Sequence, residues 1–151
     1  MSANKARYPQ LEVDLQKFRH NIDSVANLCQ EQDIDVAGVI KGFHAIPGMV
    51  QELDKSACKY IASSRMEQII DSKNIGCKKP FFLIRLPMLS EIEDLVKYVE
   101  YSLNSEITVL DKINSECEKQ GRRHGVVLMV DLGDLREGFW DLDELVKAAS
   151  Y

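Results

Sequence analysis

What the chain is short of narrows its function first. Its four cysteines, Cys29, Cys58, Cys77 and Cys117, contain no Cys-x-x-Cys pair, which excludes a zinc ribbon or a thioredoxin-type site and leaves them as expected small core residues. The three histidines, His20, His44 and His124, are equally dispersed and lack the two-ligand helical spacing of a zinc protease, so no metal site is expected. Basic charge is in deficit, with 19 Lys and Arg against 24 Asp and Glu, a net charge of −5 and a pI of about 5.2. Such a balance gives no footprint for nucleic acid or an anionic membrane. Apolar runs are short: Val126–Val130, about five residues, falls far below the roughly 20 that cross a bilayer. Met1–Gln10 lacks the apolar stretch of a secretory signal, which makes the cytoplasm, with reduced thiols, the expected compartment. The 4 prolines and 8 glycines form no linker, and no segment is of low complexity.

What remains is an ordinary globular composition. The chain has 151 residues, 45% hydrophobic and 28% charged, enough for one buried core and one domain. Asp14 is a candidate N-cap, after which Leu15, Phe18, Ile22, Val25 and Leu28 recur at helical spacing. The apolar run Val36–Ile40 then reads as a strand that stops at Lys41, and Pro47 can open the next helix. The same alternation returns along the chain. Tyr60, Ile61 and Ala62 form a strand core before a capping box of Ser64 and Glu67, and Gly76 closes that helix. Phe81–Ile84 is followed by a second expected capping box, Ser90 with Glu93. Tyr101–Leu103 leads to a helix carrying Ile107, Leu110, Ile113 and Cys117 and ended by Gly121. Val126–Val130 is the clearest strand, and a last helix starts near Asp141 with Glu144 three positions on.

Strand ends near Lys41, Ser63, Arg85, Asn104 and Asp131 are spaced regularly, with a helix in each gap, so the class is α/β with parallel pairing. Nearly all-apolar strands fit a sheet covered on both faces or closed into a barrel.

Ligand sites of parallel α/β sheets lie at the carboxyl ends of the strands, and four residues there carry chemistry. Lys41 closes the first strand. An amine in apolar surroundings at such a place can act as a nucleophile and form a Schiff base, although a solvated lysine at a strand exit is the plainer reading. Arg136 lies in the loop 131–138, where a guanidinium suits a carboxylate or phenolate oxygen, or else a loop ion pair with Asp134 or Glu137. Arg85 and Asn104 also end strands and would face the same side, unless each caps the following helix. No Gly-x-Gly-x-x-Gly or P-loop spacing follows the first strand, which disfavours a nucleotide.

Val39-Ile40-Lys41, the segment Ala62–Glu67 and the run Met129–Gly138 together make the chain resemble the N-terminal barrel of alanine-racemase-type (fold type III) enzymes. The alanine/ornithine racemase-like subgroup is the nearest in pattern. Arg85–Glu91 and Ser102–Glu106 add to the similarity, which runs from about Pro9 onward. The resemblance implies the N-terminal portion, about five β/α units, of a pyridoxal phosphate-binding (β/α)8 TIM barrel. The chain would be one partial domain, residues 1–151, with the phosphate loops and a second-base tyrosine beyond Tyr151. It further implies an amino-acid racemase, a small-molecule amino acid as substrate, and a homodimer. Lys41 would carry pyridoxal 5'-phosphate as a Schiff base and serve as one of two bases at the α-carbon. Arg136 would lie by the cofactor's phenolic oxygen and the substrate carboxylate, with Arg85 and Asn104 as further cofactor contacts. Where alanine racemases have a tyrosine four positions after the lysine and then a glycine-histidine pair, this chain has Ala45, Ile46 and Pro47. That departure turns the expected substrate from alanine towards ornithine or another basic amino acid. Two alternatives stand beside it: a non-catalytic pyridoxal phosphate-binding protein of the single-barrel type, and a small open α/β interaction module in which Lys41 is merely solvated.

Overall fold

The computed structural model describes residues 8–150, so most of the N-terminal stretch read above for a signal, and Tyr151, lie outside the described residues. Helix α1 (Leu15–Gln30) starts where Asp14 accepts from the backbone of Gln16 at 3.0 Å and Lys17 at 3.1 Å. Five strand and helix pairs follow: β1 (Ala37–Val39) and α2 (Pro47–Lys55), β2 (Tyr60–Ser63) and α3 (Met66–Asn74), and β3 (Phe81–Leu83) and α4 (Ile92–Tyr98). The series ends with β4 (Tyr101–Asn104) and α5 (Ile107–Gln120), then β5 (Gly125–Leu128) and α6 (Leu142–Ala149). Pro47 opens α2, Asp141 caps α6, and Gly121 ends α5 in the left-handed region at φ 64°, as the sequence predicts.

Neither predicted capping box forms. Arg65 occupies the N-cap of α3 without a side-chain bond. The hydroxyl that meets this helix start belongs to Ser63, which accepts from the Arg65 N–H at 3.1 Å because it is buried under the helix while Ser64 is not. Before α4 the chain tightens into a 3-10 turn, Leu89–Glu91, and Glu91 rather than Glu93 reaches back to the Met88 N–H at 3.0 Å.

All five strands are parallel and lie in sequence order, β1-β2-β3-β4-β5. Crossovers of one hand between successive neighbours put every helix on the same face, the arrangement of a barrel wall and not of a doubly wound sheet. The register confirms it. Ile40, Ile61, Phe81 and Leu83 point to the helix side and form one buried cluster with Leu53, Ile69, Leu95, Val96 and Ile113. Gly38 shares that side, and a Cβ there would run into the Leu53 side chain of α2. The opposite face carries Val39, Phe82, Tyr101, Leu103 and Val127, none of them fully buried, with Tyr101 packed edge-on against Tyr60 at 5.3 Å. This open face is what a closed barrel would turn inward. The strand expected to be clearest, β5, is shorter than predicted and half exposed, because it is an edge; Val130 makes only a single bridge to Phe139. Among the described residues no helix is long and apolar enough to cross a membrane.

Candidate active site

The carboxyl ends of the strands bring Lys41, Arg85, Asn104 and Arg136 to one rim, but in two different situations. Lys41 leaves β1 at the start of a 3-10 turn, Lys41–Phe43, directly after the fully buried Ile40. It is exposed, and among the described residues its amine has no hydrogen bond or ion pair. The turn behind it is held by Ala45 N–H donating to the Ile40 carbonyl at 3.2 Å, and both His44 and Ala45 sit at positive φ, 53° and 52°. Two successive non-glycine residues in that region are costly and persist only where surroundings hold them.

Part of that hold is a relay, buried at Ser63 and Gln68, that sequence reading missed. The Ser63 hydroxyl donates to Gln68 Oε1 at 2.7 Å, and Gln68 Nε2 donates to His44 Nδ1 at 3.3 Å. His44 thus accepts on Nδ1, which puts the proton of the neutral ring on Nε2. No spacing rule links positions 44, 63 and 68; only the packing of α3 over β2 does.

Arg136 lies on the loop after β5. Asp131 Oδ1 accepts from Gly133 N–H at 2.7 Å and Leu135 N–H at 3.3 Å, and the loop returns where Phe139 N–H donates to the Met129 carbonyl at 2.8 Å. Gly138 is required at this closure, because a Cβ at its φ of 125° would lie 2.6 Å from the Val130 carbonyl carbon. The guanidinium of Arg136 is exposed, and no ion pair with Asp134 or Glu137 forms among the described residues.

Arg85 and Asn104 continue the helix-facing series of their strands and are occupied there. Arg85 donates to the Ser64 carbonyl at 2.7 Å, to the Leu86 carbonyl at 2.9 Å, and through both terminal nitrogens to Glu91. This fork holds the Glu91 carboxyl below its ordinary range. Asn104 is 1% exposed, and its Nδ2 donates to the Ser102 carbonyl at 3.0 Å and hydroxyl at 2.9 Å. The Ser102 hydroxyl meets His124 Nε2 at 2.8 Å, while His124 Nδ1 donates to the Val99 carbonyl at 3.1 Å. Burial pushes the His124 pKa down, which favours this neutral form. One atom of the chain of bonds is left over: Asn104 Oδ1 is buried without a partner. Among the described residues no cluster of His, Cys, Asp or Glu could hold a metal ion.

Lys41 and Arg136 are therefore available for chemistry from the two edge strands, whereas Arg85 and Asn104 brace the middle of the rim.

Comparison with known proteins agrees with this architecture. Residues 13–151 match the family model for the alanine racemase N-terminal domain. The chain is 39% identical over 138 residues to an ornithine racemase of Acetoanaerobium sticklandii, covering 91% of this chain and 38% of that protein. It is 32% identical over 133 residues to a lysine racemase of Thermotoga maritima, covering 88% and 38%. In structure it superimposes on an alanine racemase of Clostridium difficile 630 with a TM-score of 0.78 at 24% identity, over 90% of this chain and 37% of that one. The chain thus spans about 38% of the length of these curated relatives.

Proposed function

The chain belongs to the alanine racemase N-terminal domain family, and we propose from this that the protein is a pyridoxal phosphate-dependent racemase of a basic amino acid. The observation that carries the reading is the pair of cations, Lys41 and Arg136, without a partner among the described residues, on backbone-defined loops at the carboxyl ends of β1 and β5. These residues fit the cofactor: a free amine to bond it, a free guanidinium for an anionic oxygen, and the half-buried apolar side chains of Ile84 and Leu103 on the open face between them. Pyridoxal phosphate, when bound, supplies an electron sink for the pair left at the substrate α-carbon. Lys41 would hold that group, yield to the substrate amine, and then take and return the α-proton as a base. Arg136 would orient the substrate carboxylate or the phenolic oxygen by charge-assisted hydrogen bonds. Arg85 and Asn104 keep the rim in place on the helix side rather than touching the cofactor.

Racemisation needs a second base on the opposite side of the α-carbon, and we place it, with the remaining strand and helix units, in sequence beyond these residues. The open sheet face and the two unpaired edges support that placement. A homodimer and a cytoplasmic setting belong to the same proposal, the latter supported by four free thiols. Borohydride reduction in the presence of pyridoxal phosphate, followed by peptide mass spectrometry, tests the reading. Stoichiometric labelling of Lys41 in the whole protein, lost in Lys41→Ala, is the expected result; labelling spread over surface lysines overturns it.

A further inference from the structure

The unpartnered Asn104 oxygen marks a second feature of the rim. A cavity of about 140 Å³ lies between the turn after β3 and the start of α5, walled by Leu86, Pro87, Leu89 and Val109, with Asn104, Ser105 and Glu106 as its polar lining. The hydrogen bonds behind Asn104 decide which end of its amide is offered. His124 Nδ1 must carry a proton to donate to the Val99 carbonyl, so Nε2 is bare and accepts from the Ser102 hydroxyl. The Ser102 oxygen in turn accepts from Asn104 Nδ2. The free group is therefore an acceptor, Oδ1, on a side chain that is 1% exposed. Glu106 adds a carboxylate that has no partner among the described residues.

We propose that this cavity receives a primary alkylammonium group, the side-chain end of a diamino acid. The four apolar walls suit methylenes, and Asn104 Oδ1 with the Glu106 carboxylate suits an ammonium, which has donors only. An uncharged donor would satisfy Asn104 and leave Glu106 unpaired. Lys41 and Asn104 end strands three places apart, about 14 Å along the sheet at the usual spacing of about 4.8 Å. The assignment of the ligand as substrate rests on the racemase reading above; the cavity's preference for an ammonium does not.

Isotope-edited NMR titration of the full chain tests it, using n-butylammonium, ornithine and norleucine, the isostere with an uncharged side chain, as probes, with Lys41 labelling scored on the whole protein. The expected result is that n-butylammonium and ornithine shift the Asn104 side-chain amide and the Val109 backbone amide while norleucine does not. Glu106→Gln, at an exposed position whose side chain makes no cap bond to α5, weakens ornithine binding about tenfold, the order of one charge-assisted bond. Equal shifts with norleucine, unchanged ornithine affinity in E106Q, or shifts confined to the loop 131–138 overturn the proposal. If Lys41 labels stoichiometrically and norleucine matches ornithine, the cavity assignment fails and the racemase reading stands. If Lys41 stays unlabelled while ornithine still shifts Asn104, the cavity is an ammonium site and the racemase reading fails.

Discussion

The middle of the sheet and its two edges are built from the same kind of residues but finished differently. Strands β2, β3 and β4 have a neighbour on each side and a helix layer beneath, and Ile61, Phe81, Leu83, Ser102 and Asn104 are almost wholly buried. Strands β1 and β5 each lack one neighbour, and Val39, Val126 and Val127 are about 40% exposed. The difference extends to the polar groups. In the middle Arg85 is committed to Glu91 and two carbonyls and Asn104 Nδ2 to Ser102, with only Asn104 Oδ1 left over. At the edges Lys41 and Arg136 have no partner among the described residues. Braced and unbound cations thus occupy different strands of one sheet. Groups fixed by a full set of neighbours keep the rim in shape.

Core truncation should separate the two regions most sharply. Phe81→Ala, at the fully buried start of the central strand β3, is expected to cost about 3 to 5 kcal/mol, whereas Val127→Ala on β5 should cost less than about 1 kcal/mol. Urea denaturation of both variants measures this, and equal losses would dissolve the distinction between centre and edge.

A smaller effect belongs to the Arg85 fork. Arg85→Ala leaves the part-buried Glu91 carboxylate without its main partner, at an expected cost of about 1 to 3 kcal/mol. The same pair sets a pH dependence. The Glu91 pKa is depressed in the folded state, so its contribution is present above the unfolded value of 4.5 and is lost as pH falls through the lower folded value. Denaturation midpoints from pH 7 to pH 3 should fall less steeply in Arg85→Ala than in the parent chain.

The smallest effect concerns His124, half-buried beside β4. Its folded pKa lies below 6.5, so the unfolded chain binds more protons between the two values, and stability declines as pH drops below about 6.5 until the folded value is reached. His124→Gln should remove that part of the slope between pH 7 and pH 5 while lowering stability at pH 7 through the altered bond to Ser102. A slope unchanged by the substitution would show that another group titrates there.

Much of the fold was legible before any coordinates. Five apolar runs at regular intervals, with caps and glycines between them, give strand and helix count, since local capping chemistry and hydrophobic period are written in neighbouring residues. Gly121, Pro47, Asp14 and Asp141 do what their types require. The capping boxes misled because Ser63 and Ser64 are both able to cap, and only burial under α3 selects one of them. At the site, Lys41 and Arg136 could be picked out from strand-end position together with family pattern. The engagement of Arg85 with Glu91, the relay from Ser63 through Gln68 to His44, and the one free oxygen of Asn104 could not.

The sequence by itself therefore determined the α/β class, the parallel pairing and the strand-end lysine and arginine, because each depends on residues within a few positions of one another. Which strand-end residues are free and which are bound was decided only by the tertiary structure. A pleated strand sends alternate side chains to opposite faces, and whether a helix, a neighbouring strand or open space waits there depends on segments distant in the chain.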